Sequence, residues 1–279
     1  MPGKYGDILW SLPTVRAVSE TFGVPVDFLV SVDYGHHRDL LRLQPYIREV
    51  ISWPSWEHHR SGCSPWSPFD EGLHYLPREL PSYDHVFHLG YRSVPDKPLP
   101  EFIYGELGKT TAGVRMCPLD LDRPWVSTGS PSSGYHSSAV AVGWSPSHAS
   151  LKVEFTEFLK ERFPHVAFVP IMPAIPNGDV WEQFWCFDAV RPANWVESAE
   201  RVATAQFFVG CCSALYVLAC AMGKSALIFE PDKARWDSTF YPYGTNGPRV
   251  LLVRANSAGA FDAVAAEAAC ASLLGDGRC

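Results

Sequence analysis

Apolar residues in this chain gather in short unbroken runs, and longer segments with one apolar face separate them. The runs Pro25 to Val32, Arg48 to Trp53, Tyr83 to Leu89, Ala139 to Val142, Val166 to Ile171, Cys186 to Val190, Phe207 to Val209, Ala226 to Phe229 and Val250 to Val253 read as strands. Ala139 to Val142, Phe207 to Val209 and Ala226 to Phe229 hold no polar residue, which is what burial on both sheet faces demands. Ile8, Leu9, Leu12, Val15 and Val18 can share one helical face, with Pro13 expected to start or kink that helix. Further helices are predicted over Tyr34 to Gln44, Glu101 to Leu107, Glu154 to Arg162, Asn194 to Ala205, Ala214 to Met222 and Ala258 to Leu274. Strand and helix alternate throughout, so the predicted class is α/β with right-handed crossovers.

The 279 residues allow one large domain or two of about 130 to 150 residues each. Residues 118 to 138 are rich in Pro, Ser, Gly and Asp, which marks a boundary; domains over 1–130 and 139–279 are expected, with no fixed-period repeat. With 47% hydrophobic and 19% charged residues the chain is not a disordered one. The net charge of −7 argues against a broad nucleic-acid surface and leaves room only for a local basic groove. No apolar run approaches the roughly 18 residues of a membrane span, and the N-terminus lacks the apolar core of a signal peptide. The eight cysteines form no C-x-x-C pair and no metal-ligand spacing, so a reducing, cytoplasmic setting is expected. Pro54 to Pro81 has no period but carries Trp56, His58, His59, Arg60, Cys63, Trp66 and Phe69, the composition of a docked functional loop. His58, His59 and Cys63 have no fourth ligand at a suitable spacing, so no metal site is predicted there.

The most informative stretch is Phe207 to Glu230. It reads as strand, Gly210, a small polar turn of Cys211, Cys212 and Ser213, a helix stopped by Gly223, a second strand, and Glu230. In a parallel sheet Gly210 to Ser213 and Glu230 would share the carboxyl edge, where ligands bind. A helix N-terminus there suits a phosphate, and a strand-end carboxylate suits ribose hydroxyls. A nucleotide site is the functional reading; the plain alternative is that Glu230 begins a surface loop. At the other end of the chain, the turn Gly3-Lys4-Tyr5-Gly6 leads into Asp7, which either caps the first helix or sits in its first turn.

Four patches taken in order carry a resemblance. They are Gly6-Asp7-Ile8-Leu9 with Leu12-Pro13; Val142 to Lys152; the helix Asn194 to Ala205 running into Phe207-Phe208-Val209-Gly210; and Ser213 to Glu230. Together the chain resembles the lipopolysaccharide heptosyltransferase family, the ADP-heptose-type glycosyltransferases of the GT-B fold. The likeness covers nearly the whole chain and is weakest from 54 to 82. It implies two Rossmann-like domains facing across a cleft, the C-terminal one holding a nucleotide-diphosphate sugar and the N-terminal one a hydroxyl acceptor. It implies inverting, metal-independent transfer with no cofactor besides the donor. Asp7 matches the family's general base, and Lys152 the lysine that neutralises the donor diphosphate. Ser145, Ser147, Gly210, Cys212 and Ser213 fall at donor-binding positions, His148 could reach the diphosphate, and Glu230 falls where ribose is held. Acceptor contacts are expected from Lys4, Tyr5, Trp56, His58, His59 and Arg60.

The chemistry agrees with these roles. A cation and aimed N–H groups stabilise charge growing on the leaving phosphate, and a carboxylate takes the acceptor's proton. Two features depart from the family. Only Met1 and Pro2 precede Gly3, so either the start lies upstream or the N-terminal sheet lacks its first strand. The family's Asp-Thr-Gly-x-x-His turn is replaced by Cys212-Ser213-Ala214-Leu215-Tyr216-Val217, so the donor need not be ADP-heptose. The reading is therefore a glycosyltransferase acting on a glycan or lipid-linked saccharide. Alternatives are a glycosyltransferase of modified DNA bases, with Trp56, Trp66, His58, His59 and Arg60 clamping a flipped base, a catalytically silent sugar-nucleotide-binding protein, and a sugar-nucleotide epimerase.

Overall fold

Tyr5–Phe22 is one continuous helix, α1, with Pro13 inside it. A proline there removes a backbone hydrogen bond and normally breaks a helix. Here every residue from Ile8 to Ser19 is buried, so tertiary packing overrides the local cost. The expectation that Pro13 starts the helix is thus corrected, and Asp7 lies in its first turn. The computed structural model describes residues 5–53, 83–87, 89, 95–110, 113–129, 138–144, 152–173, 190–230, 249–255 and 260–276. Contacts divide the chain into two compact units at Leu121/Asp122.

In the first unit α1 is followed by strand β1 (Val26–Ser31), a 3-10 turn over Val32–His37, helix α2 (Arg38–Arg42), strand β2 (Ile47–Trp53) and helix α3 (Leu99–Thr110). The single helix predicted over Tyr34 to Gln44 is therefore a 3-10 segment and a short α-helix. β1 and β2 are parallel, with a register shift between Val26 and Asp27. The Asp27 carboxylate accepts from Arg48 Nε at 2.7 Å and from the Tyr83 hydroxyl at 2.7 Å. The predicted strand over Tyr83 to Leu89 is not found: the described part of that segment has no strand. Instead Phe22 packs on His85 at 4.8 Å and on Phe87 at 5.7 Å between ring centroids.

The residues after α3 are strapped onto the helices. The Cys117 N–H donates to Thr21 Oγ1 at 2.8 Å, and its carbonyl accepts from the Tyr104 hydroxyl at 2.7 Å. Arg16, buried within α1, donates to the Asp120 carbonyl oxygen.

The second unit is a five-stranded parallel sheet in the order β4-β3-β5-β6-β7. Its elements are β3 (Val140–Gly143), α4 (Lys152–Arg162), β4 (Phe168–Pro170), α5 (Trp195–Thr204), β5 (Phe208–Gly210), α6 (Ala214–Ala221), β6 (Ala226–Glu230), β7 (Val250–Arg254) and α7 (Ala263–Asp276). The strand predicted over Cys186 to Val190 lies outside the described residues except for Val190, which is not in a strand. β3, β5 and β6 are buried along their whole length, as their unbroken apolar runs require. Between the sheet and its helices Phe155 stacks on Phe229 at 4.8 Å, and Phe261 meets Phe155 edge-on at 5.1 Å. α5 begins with a reciprocal cap: Asn194 Oδ1 accepts from Glu197 N–H at 2.9 Å, and Glu197 Oε2 accepts from Ala193 N–H at 2.6 Å. Buried Arg201 of α5 then donates to the carbonyls of Pro170 at 2.9 Å and Val190 at 2.7 Å, and to Glu197 at 2.5 Å.

Just beyond the end of α6 stands Gly223, whose φ of +73° is open to glycine at little cost. The carbonyl of Ala221, which a helix end would leave without a partner, accepts from the N–H groups of Trp125 at 2.8 Å and Val126 at 3.0 Å.

Candidate nucleotide site

The strand order fixes where a ligand would bind. From β3 the chain goes to β4 on one side, then crosses back to β5 on the other. The connections diverge between β3 and β5, and open parallel sheets bind ligands at the carboxyl side of such a divergence. Gly143 closes β3 and Gly210 closes β5, and the two are register partners. A Cβ on Gly210 would lie 1.9 Å from the Gly143 carbonyl oxygen and 2.6 Å from the Phe208 ring. A Cβ on Gly143 would lie 2.6 Å from Leu215 Cδ1. Gly210 requires glycine, because its clash is with backbone, and at Gly143 the first turn of α6 sits tightly against the strand end through Leu215.

Ser213 is the N-cap of α6, its extended backbone turning the chain and its side chain accepting from Tyr216 N–H at 3.5 Å. At that length the hydroxyl is only loosely engaged. The first-turn N–H groups and the helix dipole make this end attractive to an anion. Cys212 lies in the same turn. Burial, then Cys211, Glu230 and Cys220, push its thiol well above the ordinary value. It therefore stays a neutral thiol near neutral pH and adds no negative charge to an anion-binding turn.

Glu230 closes β6 and is only 6% exposed. Its register partner on β7 is Arg254, whose Nε lies 4.0 Å from Glu230 Oε2. A nearly buried carboxylate is costly unless a cation or donors compensate it, and Arg254 is placed to do so. Gly210, Cys212, Ser213 and Glu230 thus share the carboxyl edge of one sheet.

The other predicted site residues are distributed as follows. Lys152 is the first residue of α4. Ser145, Ser147 and His148 lie outside the described residues, as do Lys4, Trp56, His58, His59 and Arg60. Asp7 and Tyr5 belong to the N-terminal unit, in the first turn of α1. The Tyr5 ring meets His37 edge-on at 5.1 Å and lies 6.3 Å from His36. Sequence reading did not single out these two histidines, because their proximity to Tyr5 spans a strand and has no local period. Arg254 was missed for a similar reason: it becomes relevant only through its register with Glu230.

No family model matches the chain, and no curated protein matches it. Solved structures do. The E. coli ADP-heptose heptosyltransferase II superposes with a TM-score of 0.60 at 13% identity, over 100% of this chain and 98% of that one. E. coli heptosyltransferase WaaC with ADP-2-deoxy-2-fluoro heptose gives 0.60 at 13% identity, over 99% and 100%. A glycosyl transferase family 9 protein from Veillonella parvula gives 0.59 at 8% identity, over 99% and 96%.

The chain has the heptosyltransferase fold.

At these identities the likeness is one of fold, and it extends over nearly the whole chain. Among the described residues no helix is long and apolar enough to cross a membrane.

Proposed function

We propose that the chain is an inverting glycosyltransferase that moves a sugar from a nucleoside-diphosphate sugar to a hydroxyl acceptor, a glycan or lipid-linked saccharide. The observation that carries the reading is the carboxyl edge of the C-terminal sheet. There the Gly143–Gly210 contact, the N-terminus of α6 and the buried Glu230 stand together. WaaC, with the same fold, has been solved with ADP and with an ADP-sugar analogue.

In this reading Glu230 accepts hydrogen bonds from the ribose, and the first turn of α6 with Ser213 takes a phosphate. Lys152, at the start of the helix that follows β3, neutralises charge developing on the departing diphosphate. Asp7 takes the acceptor's proton as its oxygen attacks the anomeric carbon and the bond to the diphosphate breaks. A single displacement of this kind inverts the anomeric configuration.

Two measurements test the proposal: thermal-shift titration with ADP, UDP and GDP, and radiolabel transfer from a panel of nucleotide sugars. A bound nucleotide should raise the melting temperature in proportion to its occupancy. Absence of binding to every nucleoside diphosphate would overturn the reading. Conversion of the donor sugar without an acceptor would replace transfer by epimerisation.

A further inference from the structure

Glu230 carries the nucleoside-binding role proposed above, and the following rests on that reading. Its carboxylate has 8% of its side chain exposed, at the end of a central strand. Burial of this degree favours the protonated form, which accepts fewer hydrogen bonds and is less well suited to a pair of ribose hydroxyls. Two titratable side chains near it lie at the same strand ends. One is Cys212 from the turn after β5, whose thiol stays neutral. The other is Arg254 from β7, 44% exposed, with Nε 4.0 Å from Oε2. The approach is not accidental to one rotamer, because parallel register makes Glu230 and Arg254 neighbours, and the Ala255 N–H donates to the Glu230 carbonyl at 2.9 Å. The backbone thus fixes both side chains on the same edge.

We propose that Arg254 is a positioning residue for nucleotide binding: it keeps the buried Glu230 carboxylate charged and turned toward the strand edge, so that ribose recognition depends on a side chain one strand away. The guanidinium is a suitable group for this. It never loses its charge in the working range, and its half-exposed position lets it retain water while it faces the acid.

The experiment measures ADP affinity by calorimetry between pH 6 and 8.5 for the wild type, Arg254→Ala, Arg254→Lys, Glu230→Gln and the double variant Arg254→Ala/Glu230→Gln. Wild-type affinity should be flat across that range. Arg254→Ala should bind about tenfold more weakly at pH 6 and recover toward pH 8.5, a tenfold loss being what a carboxyl about 90% protonated at pH 6 produces. Arg254→Lys should restore the flat profile. Glu230→Gln should bind weakly at every pH, and adding Arg254→Ala to it should cost nothing more. A purely structural arginine would lower the melting temperature without tilting the pH profile. The proposal is overturned if Arg254→Ala binds ADP like the wild type at every pH, or if its loss persists undiminished in the Glu230→Gln background. If Arg254→Ala fails to fold, Arg254→Met carries the same expectations. Failure of the wild type to bind any of ADP, UDP or GDP would instead remove the parent reading, and this one with it.

Discussion

Gly143 and Gly210 are register partners at the carboxyl ends of adjacent parallel strands, and a Cβ on the second would lie 1.9 Å from the carbonyl oxygen of the first. That contact is backbone against backbone, so no rotamer change can relieve it. Gly210→Ala should therefore force β5 away from β3, at a cost of about 1–3 kcal/mol or more. It should also weaken ADP binding by disturbing the turn that follows. Gly275→Ala is the control. Gly275 lies in α7 with nothing within 4 Å of where a methyl group would sit, and the change should leave urea midpoints equal or slightly raised.

Asp7→Ala separates turnover from binding. If Asp7 is the base, sugar transfer should fall by about 10²- to 10⁴-fold while ADP affinity stays at the wild-type value. A loss of both together, or of neither, would contradict the role given to it.

Arg201 and Asn194 stabilise the same helix by different means, and their loss should differ in size. Asn194→Ala removes one N-cap acceptor and should cost about 1 kcal/mol. Arg201→Ala removes the hydrogen bonds of a buried guanidinium to the Pro170 and Val190 carbonyls and to Glu197, and should cost about 3–5 kcal/mol. Denaturation midpoints for the two variants would reverse this order if Arg201 were merely a surface cation.

Asp27 supplies an acid-sensitive contribution. Its hydrogen bond to Arg48 is the main reason its carboxyl is held below the ordinary range, with Tyr83 adding to it against burial. The folded value is the lower one, so the contribution is complete above the unfolded value of about 3.9 and is lost as pH falls through the folded value. The stability gap between wild type and Asp27→Asn should be constant from pH 8 to about 5, then narrow below about 4. A gap independent of pH in acid titrations would show that the carboxylate's charge plays no part.

The thiols should be quiet. Burial pushes Cys220 and Cys270 up to about 12, and Cys212 is pushed well above its usual value. A brief pulse of N-ethylmaleimide at pH 7 should leave all three unmodified in the folded protein and label them after unfolding, as peptide mass spectrometry would record. Rapid labelling of Cys212 in the native state would contradict its assigned neutrality.

What sequence reading captured were features with a local physical cause. The runs at Ala139, Phe207 and Ala226 are strands because residues buried on both faces leave no polar alternation. The helices predicted over Asn194 to Ala205 and Ala214 to Met222 are present, and Asn194 and Ser213 start them because short side chains with an oxygen can bond the next turn. The misreadings have non-local causes. Pro13 lies within a helix because α1 is enclosed by its neighbours. The segment after Tyr83 reads as a strand, yet its aromatic residues pack on Phe22 at the end of α1 instead. At the site, Gly210, Ser213 and Glu230 could be placed from their order along the chain, because strand ends of a parallel sheet share an edge. The pairing of Glu230 with Arg254 could not, since it exists only through strand register.

The two N–H groups that Trp125 and Val126 give to the Ala221 carbonyl have a practical meaning for dissecting the molecule. Trp125 is 2% exposed, and Pro124 lies 3.0 Å from where a side chain on Gly223 would begin. A fragment begun at residue 139, where the low-complexity stretch ends, would strip the far end of α6 of this cover and leave its last turn frayed. Begun at Asp122, the same half would keep the helix tethered at the end opposite Ser213, and so offers the better chance of isolating a nucleotide-binding half that folds alone.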